Sequence, residues 1–161
     1  METAPDIVRW LIILSTLGSG MMAGLFVAFS TFIMKALASI PEGEGMRAMQ
    51  AINRFIIRPS FLVVFLGTGA LLIASCLLIE KSHPSFLFLV FATLAYLVTC
   101  LISTIAFNVP LNNQLESFDS TSDDGLDFWQ HYLDRWVKWN HVRSVACLGA
   151  TILLAFALSS L

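Results

Sequence analysis

Four nearly uninterrupted apolar stretches dominate the chain, at residues 7–34, 59–79, 86–107 and 143–161. Each can cross a hydrocarbon core of about 30 Å, which takes roughly 20 helical residues. No water reaches that core, so backbone donors and acceptors must pair within each segment, and helices do this. Little chain lies outside the four stretches. The pattern therefore predicts an all-α protein, a polytopic membrane four-helix bundle with residues 1–161 as a single domain. The first stretch is too long for the apolar part of a signal peptide, and Lys35 interrupts it before the Ala36 and Ala38 that would mark cleavage. It reads as a span.

The polar positions define the connections. Pro41 to Gly45 breaks the first helix. Residues 46–57 then form a short amphipathic pattern, with Met46, Met49, Asn53, Ile56 and Ile57 on one side and Arg47, Arg54 and Arg58 mostly off it. Such a segment lies in the membrane interface or caps the bundle mouth. Asn53 sits on the apolar face, so its amide either ties the segment to a helix end or touches a ligand. Residues 117–125 are a solvated acidic linker, and the Thr121 to Asp124 stretch serves as a helix-start cap. From about residue 124 the helical pattern runs on into the fourth span.

Lys35, Arg47, Arg54 and Arg58 belong to the first connection, and Arg135, Lys138 and Arg143 to the third; Arg9 and Lys81 alone lie on the other side. The positive-inside rule then puts both long connections in the cytoplasm and both termini on the non-cytoplasmic side.

Helical spacing sorts the spans into faces. In the first, Gly20, Gly24 and Ala28 make a ladder of small residues for close helix approach. Ser15, Gly18, Ser19, Met22, Phe26, Phe29 and Ser30 make a second face. In the third, Tyr96, Thr99, Cys100, Ser103 and Phe107 form a mildly polar stripe. It ends in Asn108, Pro110, Asn112 and Asn113, where Pro110 is expected to push Val109 out of helix and free nearby carbonyls. In the fourth, Trp129, Tyr132, Trp136, Trp139, Asn140, Arg143 and Cys147 share one stripe. Its tryptophans suit either an interfacial belt or a binding wall. Arg143 sits one turn inside the apolar run, where it must find a partner; the expected one is a carbonyl or amide of the 108–113 stretch or a neighbour of Asn53.

Composition narrows the chemistry. With 57% hydrophobic and 12% charged residues and a mean hydropathy of +0.80, the chain is no ordinary soluble domain. A net charge of −2 points to no nucleic-acid partner. Cys76, Cys100 and Cys147 fall in separate spans without metal spacing and read as free buried thiols. His83, His131 and His141 are not at paired ligand spacing, and no carboxylate lies within a span. No metal site is predicted. No Gly-rich phosphate loop follows a strand, so no nucleotide cofactor is expected either.

Gly18 to Gly24 leading to Phe29, then Met49 to Asn53, then Asn108, Pro110, Leu111 and Asn112, then Trp136, Trp139, Asn140 and Arg143 occur in that order. Together they resemble the anthrone oxygenase-like family of small integral membrane proteins. The resemblance covers nearly the whole chain and is most specific at Asn-x-Pro-Leu-Asn and Trp-Asn-x-x-Arg. It implies four membrane helices and, in fungal pigment-pathway members, oxidation of an anthrone methylene to the quinone by molecular oxygen.

With that resemblance, the residues suggest oxygenation without a bound cofactor, the partner being a small aromatic or quinone-like molecule met within the lipid bilayer. The expected pocket opens at the cytoplasmic end and is walled by Phe26, Phe29, Tyr96, Phe107, Trp136 and Trp139, with Asn53 and Asn108 at its polar rim. Asn112, Asn140 and Arg143 would donate to the developing oxyanion, and His141 would be the base by its chemistry. At about 100° per residue, however, His141 points some 140° away from Trp136. Two other classes stay open: a quinone- or lipid-binding protein without turnover, and a haem-binding redox protein using His141. A transporter fits less well, because the outer halves of the spans are dry apart from Ser15 and Ser75. Oligomeric state is left open.

Overall fold

In the computed structural model the chain is described over residues 4–161, with side chains from Asp6 onward. Helix α1 runs Ala4–Ala28, widens into a π-helical turn at Phe29–Ile33 and finishes as Met34–Ala38. The short helix α2, Glu42–Ile56, follows, and α3 is Pro59–Leu78. Helix α4 starts as Phe86–Leu94, passes through π-helical stretches at Ala95–Ile102 and Thr104–Asn108, and ends as Val109–Ser117. Helix α5 is continuous over Asp123–Ser159. Four of these, α1, α3, α4 and α5, are long and apolar enough to cross a membrane. The protein is an all-α, multi-pass four-helix bundle, as the apolar runs predict.

Helix α5 is the backbone of the molecule. Its 37 residues give a length of about 55 Å at 1.5 Å per residue, well beyond a hydrocarbon core of about 30 Å. Ser122 caps it, its side chain accepting from Gly125 N at 3.1 Å, with Asp123 and Asp124 in the first turn. The loop before it is fixed by Asp119, which accepts from Thr121 N and Thr121 Oγ1 at 2.8 Å each. Those bonds hold the Asp119 carboxyl below its usual range.

The chain builds two cores in series. One lies among the spans and joins Ile12, Met22, Phe26, Phe65, Leu72, Tyr96, Cys100, Cys147 and Leu154. The other forms a head at the end carrying the two long connections; it joins Phe29, Met34, Met46, Met49, Leu115, Trp129, Tyr132 and Trp136. Around the spans the apolar side chains point outward, Leu77 at 78% and Val145 at 71% exposure. A soluble surface does not carry a girdle of this size; a lipid-facing one does. Helix α2 ties into the head through Gln50, whose Nε2 donates to Leu115 O at 2.8 Å and Phe118 O at 3.0 Å. Its exposed Arg54 pairs with Glu116 at 2.6 Å.

Three expectations are corrected. Helix α2 begins at Glu42 rather than 46. Pro110 does not end the third helix: Val109 keeps helical angles, φ −63° and ψ −46°. Proline at the first positions of a new α-segment lacks only a donor that segment does not use, and the π turns just upstream supply that junction. Finally, the Gly20, Gly24 and Ala28 ladder is not the close-packing face. Gly24 is exposed, with open space where a β-carbon would go. The face of Ser15, Gly18, Ser19, Met22, Phe26, Phe29 and Ser30 is the buried one, because its hydroxyls find partners there. Ser19 donates to Cys147 O at 3.1 Å, and Ser30 bonds Ser144 at 3.0 Å.

Gly18 is the tight contact between α1 and α3, since a β-carbon there would collide with Thr68 Oγ1. Gly18→Ala should therefore cost about 1–3 kcal/mol by overpacking. Gly24→Ala should be neutral or gain up to about 1 kcal/mol from helix propensity. Thermal unfolding of the two variants in one detergent checks this, and equal midpoints would contradict the assigned packing face.

Candidate active site at the junction of the two cores

Where the head meets the bundle, all five helices contribute to a partly enclosed pocket. Phe26 and Phe29 come from α1, Asn53 and Ile56 from α2, Phe61 from α3, Thr104 and Asn112 from α4, and Trp136 and Arg143 from α5. The enclosed space is about 80 Å³, below the ~300 Å³ at the low end of ligand sites. A flat polycycle fits only if part of the wall moves.

Arg143 is the electrostatic centre. It is 5% exposed, and among the described residues no carboxylate pairs with it. Its guanidinium lies 4.4 Å from the Phe26 ring centroid and 5.1 Å from that of Trp136, within cation–π range of both. Nη2 donates to Asn140 Oδ1 at 2.7 Å, while Nε is buried without a hydrogen-bond partner. Asn140, 0% exposed, spends its amide hydrogens on Phe26 O and Ser30 Oγ, each at 2.7 Å. It therefore aims Arg143 and has no hydrogen left for a ligand. The expected bond from Arg143 to the 108–113 stretch is not formed, because Asn140 lies one turn away on the same helix and reaches first.

That asparagine stretch instead holds the tryptophan ladder. Asn108 Nδ2 donates to Trp136 O at 3.2 Å. Asn112 Oδ1 accepts from Tyr132 Oη and Trp136 Nε1, each at 2.8 Å. An indole N–H can only donate, so the Asn112 oxygen must face it and the amide nitrogen turns away. That nitrogen makes no hydrogen bond and sits on a residue lining the pocket. Asn53 Nδ2 donates to Tyr132 Oη at 3.4 Å, so it both ties α2 to α5 and borders the pocket. Trp129, Tyr132 and Trp136 stack with centroids 5.7 and 5.9 Å apart.

Six predicted site residues do not line the pocket: Asn108, expected at its rim, and Asn140 are buried in the bonds just described, and four stand further off. Tyr96 is 0% exposed within the span core, its hydroxyl donating to Phe65 O at 2.9 Å. Phe107 and Trp139 stack on each other outside the pocket, centroids 3.6 Å apart and planes 3° from parallel. The cause is the π-helical widening of α4, which changes the inward period. Tyr96, Cys100, Thr104, Asn108 and Asn112, four residues apart, follow the inner side, and Phe107 turns out. His141 is exposed and borders a separate apolar groove of about 540 Å³ with Thr99, Ala95, Ala146 and Gly149. No second histidine lines that groove among the described residues. Phe61 and Thr104 border the site without having been predicted; the four-residue period from Tyr96 is the signal that marks Thr104.

A family model described as anthrone oxygenase matches residues 46–153, about two thirds of the chain. The chain belongs to the anthrone oxygenase family. No curated protein and no solved structure matches it. The anthrone oxygenase match spans Asn53, Thr104, Asn112, Trp136, Asn140 and Arg143, whereas Phe26 and Phe29 lie before it.

Removing the Asn140 amide should strand the guanidinium. Asn140→Leu is expected to lose about 2–3 kcal/mol, the scale for hydrogen bonds to a charged group. Chemical unfolding in detergent measures this, and a loss under about 0.5 kcal/mol would contradict the assigned role.

Proposed function

We propose that this protein is a membrane-embedded oxygenase that binds a flat phenolic, anthrone-like substrate in the pocket between its two cores and oxidises it with molecular oxygen, without a bound cofactor. One observation carries the reading. A buried guanidinium lies over the rings of Phe26 and Trp136, in a pocket that also holds the unused Asn112 amide. Aromatic walls suit stacking on a flat ring system, and the two donors suit an aryl oxygen on which charge develops.

In the reaction the substrate methylene loses a proton to give an electron-rich enolate. Oxygen, which dissolves readily in the apolar interior, adds at that carbon to give a hydroperoxide anion. Protonation and loss of water leave the carbonyl. Overall, one CH₂ and one O₂ become one C=O and one H₂O. Phe26, Phe29 and Trp136 would hold the ring plane, and Asn112 and Arg143 the oxygen. The substrate would enter from the bilayer, past the exposed Ile57 and past Ile56 and Phe61. We place this end of the bundle on the cytoplasmic side and both termini on the other, because Arg47, Arg54, Arg135 and Lys138 lie on the head.

A second reading is favoured by the volume of the His141 groove. Ala95, Ala146 and Gly149 line it beside His141, and its about 540 Å³ is in the range of ligand sites. There the imidazole would act as base. A quinone-binding protein without turnover would use the first pocket and show no oxidation at all.

Two variants separate these readings. Purified protein should accelerate anthrone oxidation in air. Arg143→Gln should lower kcat/KM by about 100-fold, the scale of losing one oxyanion donor, while His141→Ala should stay within about twofold. The reverse pattern would move the site to the groove. Cysteine accessibility from each side of sealed vesicles checks the orientation: a cysteine at Glu116 should react from the cytoplasmic side only.

A further inference from the structure

The pocket contains a fixed positive charge and no group that could take a proton from a ligand. Among the described residues, its lining includes no histidine, aspartate or glutamate. Burying an unpaired ion normally costs several kcal/mol. Phe26, Trp136 and the Asn140 oxygen offset part of that cost, but none of them carries a negative charge. The titratable groups facing Arg143 are Tyr132 and Cys147 from α5 and Cys100 from α4; the pocket residues of α1, α2 and α3 add none. Phenols and thiols are uncharged between about pH 5 and 7. Arg143 Nε, buried and unbonded, is thus a donor waiting in an uncompensated field.

From this geometry we infer that the pocket is a receptor for a flat organic anion. The ligand is bound as its phenolate or enolate, and Arg143 supplies the counter-charge where a catalytic base would otherwise stand. The inference rests on the oxygenase reading for the fate of the ligand, not for its charge. A phenol partitioned into lipid sheds its proton to water at the interface, and its anion then pairs with the guanidinium in a medium of low dielectric. The neutral form gains no such pairing. The protein selects the ionisation state that reacts with oxygen, and no side chain needs to cycle a proton in the pocket.

A hydroxyanthraquinone dye such as alizarin tests this, because its colour reports its ionisation and it has no methylene to oxidise. In detergent, the apparent pKa of dye bound to the protein should lie at least about one unit below that in protein-free micelles, a tenfold preference for the anion. Arg143→Gln should remove most of that shift, and Arg143→Lys should keep much of it. The dye's neutral methyl ether should compete at least tenfold more weakly than the phenol. Should Arg143→Gln fail to fold, the wild-type shift and the ether competition decide alone. An unchanged or raised pKa, or equal competition by the ether, overturns the inference. A lowered pKa without anthrone oxidation upholds the anion site and removes the oxygenase reading. Oxidation without any shift upholds the oxygenase and removes the anion site.

Discussion

The arrangement of this molecule turns on one buried guanidinium. A charge inside a membrane bundle is tolerated only when aromatic faces and hydrogen-bond acceptors replace its water. Arg143 obtains both from three places at once: the Phe26 ring on α1, the Trp136 ring two turns earlier on α5, and the Asn140 oxygen. Asn140 in turn holds α1 by the Phe26 carbonyl and Ser30, next to the π turn at Phe29–Ile33. Part of the contact between the two longest elements and the electrostatics of the pocket therefore rest on the same bonds. A change at Asn140 alters both.

Helix α5 links the membrane part to the head because it is never interrupted. On the membrane side it packs small and apolar residues, Ala146, Cys147, Ala150 and Leu154, against its neighbours. On the head side it presents Trp129, Tyr132 and Trp136, which α2 and the end of α4 cover. The pocket forms where these two packing regimes meet. Aromatic rings, branched aliphatic side chains and the Arg143 guanidinium meet there around a space that close packing leaves unfilled.

The proposed chemistry asks little of the protein. Positioning an electron-rich ring, excluding water and balancing one negative charge are tasks for rings, amides and a guanidinium. In that proposal Arg143, Asn112, Phe26 and Trp136, which line the pocket, would supply these. On that proposal the narrow pocket would need wall movement near Ile56 and Phe61 to admit substrate, so access and reaction would be governed by different residues.

The amino-acid sequence by itself determined the four spans, the amphipathic α2 and the unbroken α5, because apolar run length and period are local properties that lipid enforces. It also placed Trp136, Asn140 and Arg143 on one stripe, since a regular helix preserves that relation. It could not settle the rotation of α4. Its π-helical stretches widen the turn, so the inward face passes from Tyr96 through Asn108 to Asn112 and leaves Phe107 outside with Trp139. Nor could it choose the packing face of α1: Gly24 and Gly18 are alike as residues, and only the presence of Thr68 opposite Gly18 separates them. Which asparagine serves Arg143 was likewise a tertiary decision. Asn140 lies within reach one turn away on α5, and α1 fixes its amide hydrogens, which leaves its oxygen pointing at the guanidinium.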